Sequence, residues 1–360
     1  MRRKVRGNAS PERSGNRATC STVKRPSPDS QLGLFGVDVA GPTLHDEVGT
    51  HISSEDQALA KELPSWLRLG TSSWTFPGWN NIVYAGDPTQ AALVRSGLRA
   101  YARHPLLRTV GVDRSYYSPL GDKELTDYAT QLPEGFRVVS KVFDEITTYV
   151  FPNHPRYGAK AGTYNPDFLS PERTLAEIIE PYSRSFASFA GPFVFEIAPI
   201  PEGALPSPEA LSRKMTLLLE KLPSTFSYSF EVRNQALLSQ RYLDTLRAHR
   251  AAHVVNYWTA MPTVGAQLAL PGIFTADFVV VRLMMPPYSR YEEQRAAFEP
   301  FSRICAPQFE MRQDVIALLR KALEHGIRET FVIANNKAEG SSPLTLRALA
   351  EEIAKGALTR

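Results

Sequence analysis

Eight short apolar runs, separated by longer segments with helical character, constrain the fold of this chain more than any other feature. The runs are Leu67–Thr71, Leu107–Asp113, Phe136–Val142, Phe193–Ala198, Tyr228–Val232, His253–Tyr257, Phe278–Leu283 and Thr330–Ala334. Most are apolar throughout instead of alternating, which is typical of parallel strands that helices cover on one side and a core covers on the other. At 360 residues, the chain fits one barrel of ordinary size with extra sequence, and a second full-sized domain is not expected.

Segments with helix signals lie between most of these runs. They are Asp122–Gln131, Pro171–Phe189, Pro208–Lys221, Ser239–His249, Arg312–His325 and Thr345–Lys355. The second and third of them begin with Ser-Pro-Glu, which places a capping hydroxyl, a proline at the first helical position and an acid in the first turn. Gly326 is suited to cap the end of the fifth. The alternation predicts an α/β fold, either a closed (β/α)8 barrel or an open doubly wound sheet.

The first part of the chain has a different character. Residues 1–62 show no sustained helical or strand period, so we predict a disordered tail in front of a barrel domain at 63–356. Residues 1–30 carry eight Lys and Arg against two acids, a local charge of +6, so the formal net charge of +4 leaves −2 for the remainder. The body is therefore not basic overall, and binding to nucleic acid would use the tail or a local patch.

Cysteine usage and hydropathy bear on the compartment. Cys20 and Cys305 lie in segments of different character, and they support neither a disulfide framework nor a zinc cluster. No apolar segment has the length of a signal sequence core or a membrane span. We therefore expect a cytoplasmic protein without a membrane partner.

The segment Gly70–Trp79, GTSSWTFPGW, resembles the opening motif of the YecE-like family, a domain of unknown function. Later segments resemble further strand signatures of that family: Thr109–Tyr117, Ser140–Thr147, Phe230–Arg233, Val281–Arg282 and Asn335–Gly340. The resemblance extends over nearly the whole predicted barrel domain. It implies a (β/α)8 TIM barrel, which removes the open-sheet alternative, but the family has no established activity.

Several positions depart from the family pattern. Gly111 and Asp113 stand where the family usually has Glu and Asn, and Glu196 stands where Gln is common. Met284 and Met285 replace a usual His-Gly pair. The resemblance therefore implies a divergent member, with altered chemistry if the usual residues are catalytic.

Polar residues collect near the carboxyl ends of the predicted strands, the face where barrels carry their active sites. We predict catalytic roles for Glu231, Glu196, Asp113 and Lys141, and ligand binding by Ser73, Trp74, Arg233, Asn256, Arg282, Asn335 and Asn336. The three acids are suited to hold a divalent metal ion or to act as general base, and the cations are suited to neutralise phosphate or carboxylate. The alternative is a structural network of ion pairs without catalysis.

The segment after the third strand mixes aromatic rings with positive charge. Its residues of this kind are Tyr149, Phe151, His154, Arg156, Tyr157, Lys160 and Tyr164. Single-stranded nucleic acid is bound by such mixtures. The alternative is a surface loop that its aromatic side chains anchor.

The predicted tail contains one apolar island, Gln31-Leu32-Gly33-Leu34-Phe35. It resembles the peptide by which bacterial replication and repair proteins dock on the DNA sliding clamp, and Gln31, Leu32, Leu34 and Phe35 would make the contacts. A short motif in a disordered segment can order on its partner. The alternative is that the island packs back on the barrel.

Three functions follow from these features. The first is a barrel protein recruited to DNA through the clamp, which acts on DNA or a nucleotide by metal-assisted phosphoester chemistry. The second is a metabolic enzyme for a small phosphorylated or carboxylated substrate, and the third is an adaptor without catalysis.

Clamp recruitment predicts that the purified clamp retains the full-length chain in a pull-down. Leu34→Ala and Phe35→Ala remove the apolar contacts and should abolish retention, whereas Val37→Ala, just outside the motif, should not. Absence of binding by the intact chain would exclude recruitment through this peptide.

Overall fold

Eight parallel strands form a closed barrel. The structure is a computed structural model in which residues 47–287 and 289–358 are described. The strands are β1 Leu67–Thr71, β2 Thr109–Val112, β3 Arg137–Lys141, β4 Ala190–Ile197, β5 Tyr228–Val232, β6 Ala252–Tyr257, β7 Phe278–Leu283 and β8 Glu329–Ala334. Each pairs with the next in the chain, and β8 pairs with β1 to close the ring. The predicted TIM barrel is confirmed.

The apolar runs located the strands because the strands are covered on both faces. Every residue of β4, β5, β6 and β7 is buried. The bounds of β1, β5 and β7 agree with the predicted runs, whereas β2 is shorter than its run and β4 begins earlier. Strand ends are the least certain part of such a prediction, since burial continues into the adjoining turns.

Helices surround the barrel. They are α1 Ser54–Glu62, α2 Gln90–Ala102, α3 Asp122–Ala129, α4 Asp144–Thr147, α5 Pro171–Thr174, α6 Glu180–Ser185, α7 Pro208–Leu219, α8 Gln240–Ala248, α9 Val264–Leu268, α10 Tyr291–Phe298, α11 Phe309–Glu324 and α12 Ser342–Glu352. The predicted caps Ser170 and Ser207 both accept a backbone hydrogen bond at a helix start, and Gly326 adopts the expected positive φ of 67° after α11. None of the helices in the described ranges has both the length and the hydropathy needed to cross a bilayer.

The prediction of disorder as far as residue 62 is wrong for residues 49–62. Gly49–Thr50 pairs with Tyr84–Ala85 in a two-stranded ribbon, and α1 packs against α12. Ser53 caps α1, accepting a hydrogen bond from the backbone N–H of Asp56. The helix is short and mostly polar, so a search for apolar periodicity missed it. The clamp-like segment 31–35 lies outside the described residues.

The barrel interior consists of an apolar layer with a polar layer above it. Branched apolar side chains fill the centre, among them Val139, Val194, Val254, Val280 and Ile333. Side chains two positions apart on a strand point to the same face. The next inward-facing positions, towards the carboxyl end, are Lys141, Glu196, Asn256, Arg282 and Asn335. Candidate site residues from five strands therefore share the mouth of one barrel.

Candidate active site

Arg282 lies in the barrel mouth and joins three carboxylates. Its Nη1 donates to Glu196 Oε2 at 2.6 Å and to Glu231 Oε2, and its Nη2 donates to Asp113 Oδ1 at 3.0 Å. The side chain is only 1% exposed. Burial alone lowers the pKa of Arg282, but Glu231, Asp113 and Glu196 raise it by more, so the net pKa lies above its usual value. A buried charge of this kind is tolerated because it is paired.

Glu196 and Glu231 are direct neighbours on β4 and β5. Two carboxylates in register repel each other unless a cation lies between them. Arg282 contacts both, and Arg233 Nη2 lies 2.7 Å from Glu196 Oε2 and 2.7 Å from Glu231 Oε1. Two guanidinium groups thus bind the pair and relieve the repulsion between the two carboxylates.

Lys141 is the third cation at Glu196. Its Nζ lies 2.9 Å from Glu196 Oε2 and 3.7 Å from the centre of the Tyr116 ring. Burial raises the pKa of Glu196, but Arg233, Lys141 and Arg282 together lower it by more, so that the net pKa lies well below its usual value. A carboxylate held ionised by three cations is a weak base. We therefore assign Glu196 to charge balance instead of proton transfer.

Asp113 lies nearer the rim. Its side chain is 27% exposed, whereas that of Glu231 is fully buried. Arg282 holds Oδ1, and no described residue donates a hydrogen bond to Oδ2. Asp113 is thus the most exposed of the three acids of the mouth, and its Oδ2 is available to a ligand.

Lys337 also belongs to the site, although the sequence analysis did not include it. It follows β8, is 8% exposed, and places Nζ 4.3 Å from the centre of the Tyr291 ring. Within the described residues it has no hydrogen bond or ion pair through Nζ. Its position directly after Asn335-Asn336 at a strand carboxyl end was the signal that could have identified it.

Arg233 has hydrogen-bond donors that lack acceptors. Its Nε and Nη1 are buried and have no hydrogen-bond partner in the described parts of the chain. The guanidinium carbon lies 4.0 Å from the centre of the Trp258 ring. The Arg233 guanidinium therefore pairs with acids on one side and stacks on an aromatic ring.

Two predicted ligand-binding residues hold the strand ends in place. Asn256 Nδ2 donates to the carbonyl of Val232 at 3.0 Å. Asn335 Nδ2 donates to Ser72 Oγ at 2.8 Å, and its Oδ1 accepts from the backbone N–H of Lys337. These bonds fix the position of β6 relative to β5 and the start of the turn that carries Lys337.

Ser73, which was also predicted to bind ligand, lies half-buried in the turn after β1. Its Oγ lies 3.2 Å from Thr75 Oγ1.

Trp74 and Asn336, both predicted to bind ligand, make packing and hydrogen-bond contacts within the fold. The Trp74 indole N–H donates to the carbonyl of Leu93 in α2, and its ring meets Tyr128 edge to face at 5.2 Å. Asn336 Oδ1 accepts hydrogen bonds from both the backbone N–H and the hydroxyl of Ser342 at the start of α12. A position at the end of a strand did not show whether the side chain points into the barrel mouth or packs against the surrounding helices.

The predicted divalent metal is not supported by this arrangement. No group of three or more His, Cys, Asp or Glu in the described ranges is placed to hold a metal ion. Mg²⁺ and Ca²⁺ require several free oxygen ligands. Oxygens of Asp113, Glu196 and Glu231 already bind Arg or Lys.

The loop after β3 neutralises its own positive charges. Arg156 pairs with Asp144, and Lys160 Nζ lies 3.1 Å from Glu145 Oε2. Tyr149 packs edge to face against Phe168 at 5.0 Å. These contacts favour the anchored surface loop over the single-stranded nucleic-acid platform.

A sequence profile of the family described as "Protein of unknown function DUF72" matches residues 68–359. The chain belongs to the DUF72 family. The family resemblance noted in the sequence is therefore confirmed, and the DUF72 match includes all of the barrel strands except the first residue of β1.

Solved structures of DUF72 family proteins are similar to this chain. A DUF72 family protein from Enterococcus faecalis is 16% identical, with 79% of this chain and 95% of that chain covered and a TM-score of 0.54. A DUF72 family protein from Thermotoga maritima is 19% identical, with coverages of 79% and 99% and a TM-score of 0.46. At such identities, the first of these shows a common fold alone. No curated protein matches the chain.

One departure from the family pattern, Gly111, has a local explanation, and nothing in the structure explains the Met284-Met285 pair. A Cβ on Gly111 would lie 3.2 Å from both Ile333 Cγ2 and the Cα of Ser72, so the interior beneath Asp113 is already filled. The backbone N–H groups of Met284 and Met285 both donate to the carbonyl of Tyr257, at 3.1 and 3.0 Å. Whether these departures alter the chemistry stays a prediction.

The ion-pair network predicts a large stability effect for Glu231→Gln. This change removes a buried charge beneath Arg282 and Arg233 and should lower the free energy of unfolding by about 3–5 kcal/mol, measured by urea denaturation. The matched control is Glu209→Gln, because Glu209 lies 4.0 Å from Arg241 in an exposed pair. It should cost less than about 1 kcal/mol. Equal effects of the two changes would contradict the network.

Proposed function

We propose that this DUF72 protein is an enzyme that binds and transforms a small anionic substrate, one bearing a carboxylate or phosphate group, in the barrel mouth. The observation that carries the proposal is an excess of positive charge. Among the described residues of the mouth, three carboxylates face four cations: Asp113, Glu196 and Glu231 face Lys141, Arg233, Arg282 and Lys337. An anion would complete the charge balance.

The donors without acceptors indicate where such an anion would bind. Arg233 Nε and Nη1 have no partner, and neither has Lys337 Nζ, within the described ranges. A buried donor without an acceptor costs about 1–3 kcal/mol. Carboxylate and phosphate oxygens match the fork of a guanidinium group and would satisfy these donors together.

Aromatic rings around the cations favour a small molecule over a polymer. Half-buried rings stand beside the cationic groups: Tyr116 at Lys141, Tyr117 at Arg156, Trp258 at Arg233 and Tyr291 at Lys337. Such rings limit the access of water, and electrostatic attraction is stronger where water is excluded. Small-molecule sites typically combine an apolar wall with a few placed polar groups.

Asp113 is the proposed general base, because its Oδ2 accepts no hydrogen bond from a described residue and its side chain is partly exposed. Glu231 lies fully buried under two guanidinium groups and serves to position them. This division of roles between Asp113 and Glu231 replaces the metal-assisted phosphoester mechanism. In that mechanism, the oxygens of the same acids would need to be free to bind a metal ion.

Recruitment to the sliding clamp is a separate prediction, since residues 31–35 lie outside the described structure. It is compatible with the proposed chemistry but receives no support from it. A non-catalytic adaptor could keep the same ion pairs, and anion binding is the property that would distinguish it from the proposed enzyme.

Anion binding predicts a rise in the thermal unfolding midpoint of the full chain with inorganic phosphate or oxalate at constant ionic strength. A ligand at about 100 times its Kd stabilises the native state by about 2.7 kcal/mol. Arg233→Lys keeps the charge but loses the fork, and should lose most of this stabilisation. Arg241→Lys, on the exposed face of α8, is the matched control and should retain it.

The same stabilisation in Arg233→Lys and in the unchanged chain would show that the anion does not bind at Arg233. Absence of any effect of either anion beyond that of chloride would contradict the proposed function itself.

A further inference from the structure

Lys337 has an environment that suits a reactive amine. The short 3-10 turn Asn336–Ala338 carries it directly after β8, and Asn335 Oδ1 accepts from its backbone N–H at 3.0 Å. The side chain therefore begins at a fixed point on the rim. It is 8% exposed, and Nζ lies over the Tyr291 ring instead of against a carboxylate.

This environment differs from that of the other cations in the mouth. Lys141, Arg233 and Arg282 each contact Glu196, whereas Lys337 has no acid within ion-pair distance in the described ranges. A lysine whose only task is charge balance is usually paired in this way. A lysine that reacts must instead be able to lose its proton.

Electrostatics point in the same direction. Burial lowers the pKa of Lys337 from 10.5 to about 8; Asp113 and Glu292 oppose this shift, and Arg295 adds to it. The hydroxyl of Tyr291, whose ring lies under Nζ, has its pKa raised by burial to about 12 and stays protonated at neutral pH. At neutral pH, the unprotonated fraction of Lys337 is then about 300 times that of a lysine with a pKa of 10.5.

We propose that Lys337 forms an imine with the carbonyl carbon of an aldehyde or ketone that carries the anionic group bound in the mouth. This inference rests on the proposed function and narrows it to a substrate class. An anionic group held at Arg233 would retain the molecule in the mouth, whose rim also carries the amine of Lys337.

The step is balanced without another reactant. The lysine Nζ attacks the carbonyl carbon, a C–N bond forms, and the π electron pair moves to oxygen. The C–O bond then breaks as the nitrogen lone pair forms C=N, and the oxygen leaves as water with two protons from the original ammonium group. One positive charge enters as ammonium and one remains as iminium, which withdraws electrons from the adjacent carbon.

The alternative is that Lys337 only adds positive charge to the anion site, stabilised by the Tyr291 ring. Both interpretations predict anion binding, and only the first predicts a covalent adduct. Trapping the iminium therefore separates them.

The experiment incubates the full chain with sodium cyanoborohydride and one of three probes: glyoxylate, pyruvate or glycolaldehyde phosphate. Hydride addition to the C=N carbon converts each iminium to a stable secondary amine, which peptide mass spectrometry assigns to individual lysines. Lys214, exposed on α7, is the internal reference. We expect at least about tenfold more adduct at Lys337 than at Lys214 with at least one probe.

Lys337→Arg keeps the positive charge and cannot form an imine. It should abolish the adduct at this position, whereas the control Lys214→Arg should leave both the amount of adduct at Lys337 and the stabilisation by phosphate or oxalate unchanged. The measurement on the unchanged chain needs no variant, so a folding defect in Lys337→Arg does not affect it.

No excess of adduct at Lys337 with any of the three probes, in a chain that phosphate or oxalate stabilises, overturns this inference and leaves the proposed function in place. Absence of both adduct and anion stabilisation overturns both.

Discussion

The arrangement of the barrel mouth depends on one constraint, the adjacent carboxylates of Glu196 and Glu231. Parallel pairing of β4 and β5 places them in register on the same inner face. Their repulsion is relieved by Arg282, which reaches both from β7. Because the register brings the acids together and burial forbids leaving them unpaired, the position of the arginine follows from the strand pairing.

This constraint changes what the acids can do. In the sequence alone, three acids at strand ends resemble a metal site or a general acid and base pair. In the structure they instead hold cations in place, and Asp113 is the most exposed of the three, with an oxygen that no described residue engages. In the proposed function, the positive groups of the mouth bind the anion, and their ion pairs hold them in place before it arrives. Such preorganisation avoids the cost of ordering them during binding.

Much of the fold could be predicted from the sequence, because its parallel strands are buried on both faces and read as continuous apolar runs. Helices with strong caps, such as α7 after Ser207, were equally recognisable. The ribbon and α1 before the barrel were missed, because they are short and carry few apolar residues. α2 was missed for a different reason: its buried face includes the small residues Ala92, Gly97 and Ala100, which weaken the apolar period.

The sequence predicted which residues belong to the site better than it predicted which of them form ion pairs. Strand-end position brought Asp113, Glu231 and Arg282 into one predicted group, and Arg282 contacts both acids in the structure. Closure of the barrel decides which charged side chains meet, because these residues lie far apart in the chain. No local sequence pattern indicates these pairs. Lys337 was overlooked for a related reason, since its isolation from acids is a property of the folded mouth alone.

The most direct measurement is a crystal structure of the full chain soaked separately with tungstate and with Mn²⁺, each located by anomalous scattering. We predict tungstate within hydrogen-bond distance of Arg233 or Lys337, with Arg282 still bound to Glu196 and Glu231. Mn²⁺ bound directly to Glu196 and Glu231 with Arg282 displaced, and no tungstate in the mouth, would contradict a preformed anion site.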